Sequence, residues 1–370
     1  CEARDSTIDC TKASDRGSFL GSASNVITNS INPVPNIKSD SRSTLRDISL
    51  SLKGGGSGSG LLPHTQSIFV ASPSPRPSPL QGEGEVRKKI IKVIVGATAS
   101  GKSQMALSLA EKIGGVIINA DSQQVYSDLR ILTARPTADD ESLCPHRLYG
   151  VLSARESCSA GWWLRHAKME IDWLRAQGRT PIIVGGTGLY IKALTQGIAE
   201  IPDIAPEIRT QAISDYEEMG KNAFGARLQT VDPDFFERLK IHDKQRLIRA
   251  YEVWLGSGKS LSWWQKQELR PPYNSDEIEI QKIELPREEL YRRCNERFMQ
   301  MLDNGALEEV TQLMAQNLPD NLPIMKTIGV RELSAYLRGE LNLEQTIEKC
   351  QTATRQYAKR QITWFNHQLR

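Results

Sequence analysis

The sequence predicts an α/β protein, a parallel sheet flanked by helices, with a helical insertion and a helical C-terminal region. Short apolar, β-branched runs alternate with stretches of helical periodicity from about residue 89 onward. The first run, Ile90-Ile91-Lys92-Val93-Ile94-Val95, leads directly into Gly96-Ala97-Thr98-Ala99-Ser100-Gly101-Lys102-Ser103, a complete phosphate-binding loop. Helical patterning dominates beyond Arg287. Together these give a P-loop NTPase-like sheet.

Ahead of that sheet, residues 1–88 are rich in Ser, Gly and Pro, including Gly54-Gly55-Gly56-Ser57-Gly58-Ser59-Gly60 and Pro73-Ser74-Pro75-Arg76-Pro77-Ser78-Pro79. Such a segment buries too little to offset its chain entropy, so it is expected to be a disordered appendage to a catalytic domain of 89–370. No methionine precedes Met105, so Cys1 is not an ordinary translation start and the leading segment reads as an over-extended or truncated frame, foreign to the native protein. A processed lipoprotein terminus is the alternative reading of Cys1.

The first element is the strand 90–95. In the loop after it, glycines permit the turn that aims successive backbone N–H groups at an anion. Lys102 adds a point charge and Ser103 a metal-ligand hydroxyl. Residues 104–112 then form a helix whose N-terminus faces the anion. A second strand, 116–119, runs into Asn119-Ala120-Asp121-Ser122-Gln123-Gln124-Val125-Tyr126, placing the Asp121 carboxylate at the sheet edge near the loop. A carboxylate there can accept a proton; it can equally cap a helix or stand behind a metal. Residues 162–177 form an amphipathic helix with Trp163, Ala167, Ile171 and Leu174 on its core face. The third strand, 181–184, closes in Gly185-Gly186-Thr187-Gly188-Leu189-Tyr190, which suits either close backbone approach to a ligand or a tight strand-to-helix turn.

Residues 205–240 read as a charged helical insertion. In His242-Asp243-Lys244-Gln245-Arg246-Leu247-Ile248-Arg249-Ala250, Arg246 and Arg249 stand at i and i+3, close enough to act together on a diphosphate or an RNA backbone, or to be solvated helix charges. The C-terminal helices break near 319–323 and at Gly339. They carry two mixed segments, Lys326-Thr327-Ile328-Gly329-Val330-Arg331 and Lys359-Arg360-Gln361-Ile362-Thr363-Trp364-Phe365-Asn366. Cations, amides and aromatics in that mixture suit RNA backbone contact with stacking; a basic helix with Trp364 and Phe365 packed inward has the same pattern.

Composition narrows the partners little. A net charge of +3 neither demands nor excludes nucleic acid. Six scattered cysteines without a C-x-x-C pair argue against a structural zinc site or a disulfide framework and fit a reducing, cytoplasmic setting. No apolar run approaches the ~20 residues of a membrane span, and no signal segment opens the chain, so no membrane association is expected.

Taken together, the motifs resemble the tRNA dimethylallyltransferases, also called tRNA isopentenyltransferases. The likeness covers about 92–369 and keeps the family order: the loop of 96–103, Asp121 to Tyr126, Thr133-Ala134-Arg135-Pro136-Thr137, Pro145-His146, Gly185-Gly186-Thr187, Asp243-Lys244-Gln245-Arg246-Leu247, and the two C-terminal segments. Ala97 stands where the family often has Pro, and Gly188 where it often has Met. The resemblance implies transfer of a dimethylallyl group from dimethylallyl diphosphate to N6 of the adenosine beside the tRNA anticodon, with diphosphate released. It assigns proton acceptance to Asp121. The diphosphate goes to the phosphate loop, with Thr98, Lys102, Arg249 and a Mg²⁺ held partly by Ser103 spreading its charge. It gives the tRNA contacts as Asp121, Ser122, Gln123, Gln124, Thr187, Arg209, Gln245, Arg246, Leu247, Ile248, Arg249 and both C-terminal segments. A flipped-out adenosine and a monomeric enzyme are expected. A P-loop small-molecule or nucleotide kinase is the alternative, since strand, loop, helix and acidic residue describe that class too. An RNA-binding module without turnover is a further alternative.

Overall fold

The computed structural model describes residues 90–239 and 243–369; the leading segment 1–88 lies outside the described residues, as does His242. β1 (Ile91–Gly96) enters the phosphate loop and then α1 (Lys102–Ile113), which ends on a left-handed Gly114. Next come β2 (Val116–Asn119), α2 (Ala138–Leu143), opened by a Thr137–Asp140 capping box, and the two-residue β3 (His146–Arg147). α3 (Ala160–Ala176), capped by the Ser159 hydroxyl, leads to β4 (Pro181–Gly185) and α4 (Gly188–Gln196). Four helices follow: α5 (Pro206–Val231), α6 (Pro233–Arg238), α7 (Lys244–Ser257) and α8 (Leu261–Gln265). β5 (Ile278–Ile283) returns to the sheet before α9 (Arg287–Asp303), α10 (Ala306–Ala315), α11 (Val330–Leu337) and α12 (Leu343–Gln368).

The sheet runs β3-β2-β4-β1-β5 with every pairing parallel, so all strands finish at one edge, where an open α/β sheet binds its ligands. β1, β2 and β4 are the three strands expected from the sequence, and their Val and Ile side chains are buried on both faces as a covered parallel sheet requires. β3 and β5 were not legible. β3 is too short to show a period, and β5 reads Ile-Glu-Ile-Gln-Lys-Ile because it is an edge strand with a partly exposed face. It nevertheless pairs with β1 through six residues, from Ile91 opposite Ile278 to Gly96 opposite Ile283.

The predicted core face of α3 is buried, and its Trp163 indole donates to the Asn119 carbonyl at 2.6 Å while stacking on Tyr190. The helical insertion extends past the expected limits: Phe224 and Leu228 of α5 share one apolar core with Leu247 and Tyr251 of α7 and Leu261 of α8. The C-terminal break appears as an irregular segment with a 3₁₀ turn at Ile324–Lys326, and α12 returns to pack on α9, α4 and β1.

The tips of β2 and β4 almost touch. A Cβ on Gly185 would sit 2.1 Å from the Ala120 carbonyl oxygen, so only glycine lets the two ends converge. Gly185→Ala is expected to cost about 3 kcal/mol of stability, because the obstructing atoms are backbone and cannot swing aside. Urea denaturation checks this: an unchanged midpoint contradicts the close approach.

Candidate active site

The phosphate loop leaves β1 buried. Ala97 packs with Leu290, Cys294 and Ala358, and two left-handed residues, Ala99 at φ 62° and Gly101 at φ 94°, turn the backbone through the loop. Gly101 is the N-cap of α1 and no side chain caps it, which leaves the first-turn N–H groups directed into the loop. Lys102 folds back to donate to the Ala97 carbonyl at 2.6 Å, while Ser103 lies exposed at the helix start. Ser100 is buried, its hydroxyl without a hydrogen-bond partner.

Across from the loop, β2 delivers Asp121. Asn119 is fully buried and grips the next turn from both sides: its Oδ1 accepts the Asp121 N–H at 2.7 Å, and its Nδ2 donates to the Asp121 and Leu148 carbonyls, each at 3.0 Å. Asp121 Oδ1 accepts the Gln123 N–H at 2.9 Å, an Asx turn that fixes the carboxylate rotamer. Thr187 anchors Ser122 by accepting its N–H at 2.9 Å, and Thr327 donates to the Gln123 side chain at 2.6 Å. Gln124 Nε2 holds the Thr133 and Ala134 carbonyls. The same turn is gripped from α10, where the Glu309 carboxylate accepts the N–H groups of Arg130, Ile131 and Leu132 at 2.5, 2.9 and 2.9 Å.

A cavity of about 300 Å³ lies between these walls. It brings together Thr98, Asp121, Ser122, Gln123, Lys326, Thr327, Ile328 and Arg360 of the residues singled out in the sequence. Sequence reasoning missed the wall that α9 supplies. Cys294, Arg297, Phe298 and Met301 stand at helical spacing on one face and enter the cavity, with Tyr357 of α12 beside them. Arg297 Nη1 reaches the Thr98 hydroxyl at 3.4 Å. The signal was present as an Arg within an i, i+3, i+4, i+7 stripe, but α9 is so rich in surface charge that one inward-facing guanidinium does not stand out.

The glycines after β4 approach protein: Gly186 makes room for the Gln361 amide, and Gly188 lies under the Trp364 ring, 2.3 Å from where its Cβ would be. Gln361 is buried, its Oε1 accepting the Thr98 N–H at 2.8 Å and its Nε2 donating to the Gly186 carbonyl at 2.9 Å.

Other expected residues lie elsewhere. Leu247 and Ile248 are buried in the core of the insertion, and Val330 and Phe365 in those of the catalytic domain, so their side chains are not presented to an RNA; this corrects the sequence reading, which took each segment whole. Arg249, expected on the diphosphate, pairs with Glu252 at 2.6 Å on α7, and it is Arg297 that stands by the loop. Arg209, Gln245 and Arg246 are exposed on the insertion; Arg331, Lys359, Thr363 and Asn366 are exposed on α11 and α12.

The charges share one field. Burial disfavours the Lys102 ammonium; the Asp121 carboxylate works against this and the Arg297 guanidinium with it, leaving a pKa of about 8. Burial also lowers Arg297, with Asp121 again opposing. Tyr357 is raised by burial and by the Asp121 charge.

The sequence model described as IPP transferase matches residues 124–368. The chain belongs to the IPP transferase family. A tRNA dimethylallyltransferase of Zymomonas mobilis subsp. mobilis is 48% identical over 282 residues, 76% of this chain and 89% of that relative. One of Phenylobacterium zucineum is 48% identical over 277 residues, 75% of this chain and 89% of its own length. Among solved structures, a tRNA delta(2)-isopentenylpyrophosphate transferase of Staphylococcus epidermidis superposes with a TM-score of 0.53 at 33% identity, covering 76% of this chain and 91% of that one. A eukaryotic dimethylallyltransferase acting on tRNA gives a TM-score of 0.64 at 28% identity, covering 75% of this chain and 70% of that one. The IPP transferase fold therefore frames the cavity.

Because the folded pKa of Lys102 lies below its ordinary 10.5, the protein without ligand holds fewer protons than the unfolded chain between pH 8 and 10.5, and stability rises with pH through that window. A diphosphate beside the amine restores its charge, so diphosphate binding at pH 8.5 is expected to take up a proton at Lys102. Calorimetry in two buffers of different ionisation heat reads the uptake; a Lys102→Arg variant, charged throughout, should lack that increment, and an equal uptake in both proteins contradicts the assignment.

Proposed function

We propose that the chain is a tRNA dimethylallyltransferase, moving the dimethylallyl group of dimethylallyl diphosphate to N6 of the adenosine beside the anticodon. The observation that carries the reading is the meeting of Asp121 and the phosphate loop across one cavity, close enough for Asp121 to act on Lys102. In the reaction the N6 nitrogen bonds to C1 of the prenyl group as the C1–O bond breaks. The N6 proton passes to Asp121, and the electron pair leaves with the diphosphate. An adenine amine is a weak nucleophile, so a residue whose backbone is held by Asn119 and whose carboxylate is oriented by the Gln123 N–H suits the acceptor role. The leaving charge falls among the loop N–H groups, Lys102 and Arg297, with Thr98 held between Arg297 and Gln361.

Mg²⁺ fits the residues present. Ser103 offers one hard oxygen, and among the described residues no cluster of three His, Cys, Asp or Glu side chains forms a protein cage. That donor set suits an ion held chiefly by substrate phosphates, which would neutralise the departing diphosphate. On the acceptor side, Lys326, Arg331, Lys359, Arg360, Thr363 and Asn366, with Arg209, Gln245, Arg246 and Arg249 on the insertion, are the exposed groups able to meet the tRNA backbone. The flipped adenosine enters beside Ser122 and Gln123, and tethering of those residues by Thr187 and Thr327 supports a fixed receiving surface. Among the described residues no helix is long and apolar enough to cross a membrane. Their cysteines Cys144, Cys158, Cys294 and Cys350 are free, as thiols of a cytoplasmic enzyme would be.

Labelled dimethylallyl diphosphate with unmodified tRNA is expected to label the tRNA without ATP. Label moving only from the γ-phosphate of ATP would establish the kinase instead. Asp121→Ala should lower the transfer rate at least about 100-fold, the scale of a lost general base, while leaving tRNA binding within about twofold. Single-turnover rates and filter binding read the two separately, and undiminished transfer removes Asp121 from proton acceptance.

A further inference from the structure

We propose that Glu252 is a positioning residue for RNA, holding Arg209 of α5 and Arg249 of α7 as one two-guanidinium site for a phosphate of the tRNA backbone. The proposal rests on the reading of the insertion as tRNA-facing. Glu252 lies on α7 among the buried Ala250, Tyr251 and Val253, and its side chain is only 4% exposed. Each carboxylate oxygen takes one arginine: Oε1 accepts from Arg249 Nη1 at 2.6 Å and Oε2 from Arg209 Nη1 at 2.9 Å. The arginine side chains are 41% and 57% exposed, so a nearly buried anion joins two cations that face water.

A buried carboxylate is retained at a desolvation cost that good hydrogen bonds must offset, and here both oxygens are satisfied by charged donors. Without it, two guanidiniums this close repel each other and take separate rotamers. With it they share one anchor, and each places a single Nη in the pairing, which leaves further N–H donors for an incoming oxygen. The trio carries a net charge of +1, enough to attract phosphate while fixing where it sits. Neighbouring cations are engaged differently: Arg246 turns to Asp243 at 3.2 Å, and Lys244 pairs with Glu217. Because Arg209 comes from α5 while Arg249 and Glu252 sit at i and i+3 on α7, the site exists only when the insertion is folded.

The test turns on sign. Glu252→Gln removes a negative charge from an RNA-facing surface, which by Coulomb attraction alone tightens binding. We expect binding of unmodified tRNA to weaken about tenfold, with the plot of log affinity against log salt shallower by about one, as when a phosphate contact is lost. KM for tRNA should rise and kcat at saturating tRNA should hold. Glu252→Asp keeps the charge but cannot span both arginines, and should weaken binding in the same way. In an Arg209→Ala/Arg249→Ala background, Glu252→Gln should add nothing, whereas a role confined to fold stability gives losses that add. Unchanged or tighter binding by both Glu252 variants, or additive losses, overturns the proposal. Undiminished binding by the double arginine variant alone shows instead that the tRNA-facing reading of the insertion is at fault, and the proposal falls with it.

Discussion

The Gln361 side chain is the joint on which the site depends. Its amide accepts the Thr98 N–H of the phosphate loop and donates to the Gly186 carbonyl at the end of β4, so the phosphate loop and the turn after β4 share one buried side chain. Both of its polar ends are matched, the condition under which a buried amide orders its surroundings instead of destabilising them. Gly186 makes this possible by having no Cβ, which would otherwise stand 2.2 Å from the Gln361 nitrogen.

Around that joint the construction repeats one device: a polar side chain grips backbone groups of a cavity loop. Asn119 grips Asp121, Thr187 grips Ser122, Gln124 and Glu309 grip opposite sides of the turn at 130–134. Loops over a sheet edge are ordinarily the least ordered part of an α/β protein. Here Asn119 at the end of β2 and Glu309 on α10, with Gln124 and Thr187 in the loops themselves, fix that backbone, and the cavity loops are preorganised against the walls that α9 and α12 supply.

Most of the sheet and half of the cavity could be read from residues alone. β1, β2 and β4 are dominated by Val and Ile because helices cover both faces, and the phosphate loop and Asp121 follow β1 and β2 directly in sequence. β5 escaped because a partly exposed edge strand tolerates Glu279, Gln281 and Lys282 among its isoleucines and so resembles a loop. Arg297 and Tyr357 escaped for a different reason: each lies on a charged helix whose inward face is set only by tertiary packing. Gln361 was noticed as part of a basic segment, yet its work is internal, while Leu247 and Ile248 were swept into an RNA-facing segment whose helical period turns them inward. Segments locate a site; the side each residue faces needs the third dimension.

The hydrogen bond from Thr98 to Gln361 joins positions 263 residues apart. During synthesis the phosphate loop, near the front of the catalytic domain, therefore waits for nearly all of that domain to leave the ribosome before it can take its final shape. A nascent chain displaying only β1 and α1 holds the sequence of an anion site without its geometry, and also lacks β5, the neighbour that shields one side of β1. Long-range closure of this kind slows folding. It also ties competence to completeness, so a prematurely terminated chain has the sequence of the phosphate loop without its finished geometry.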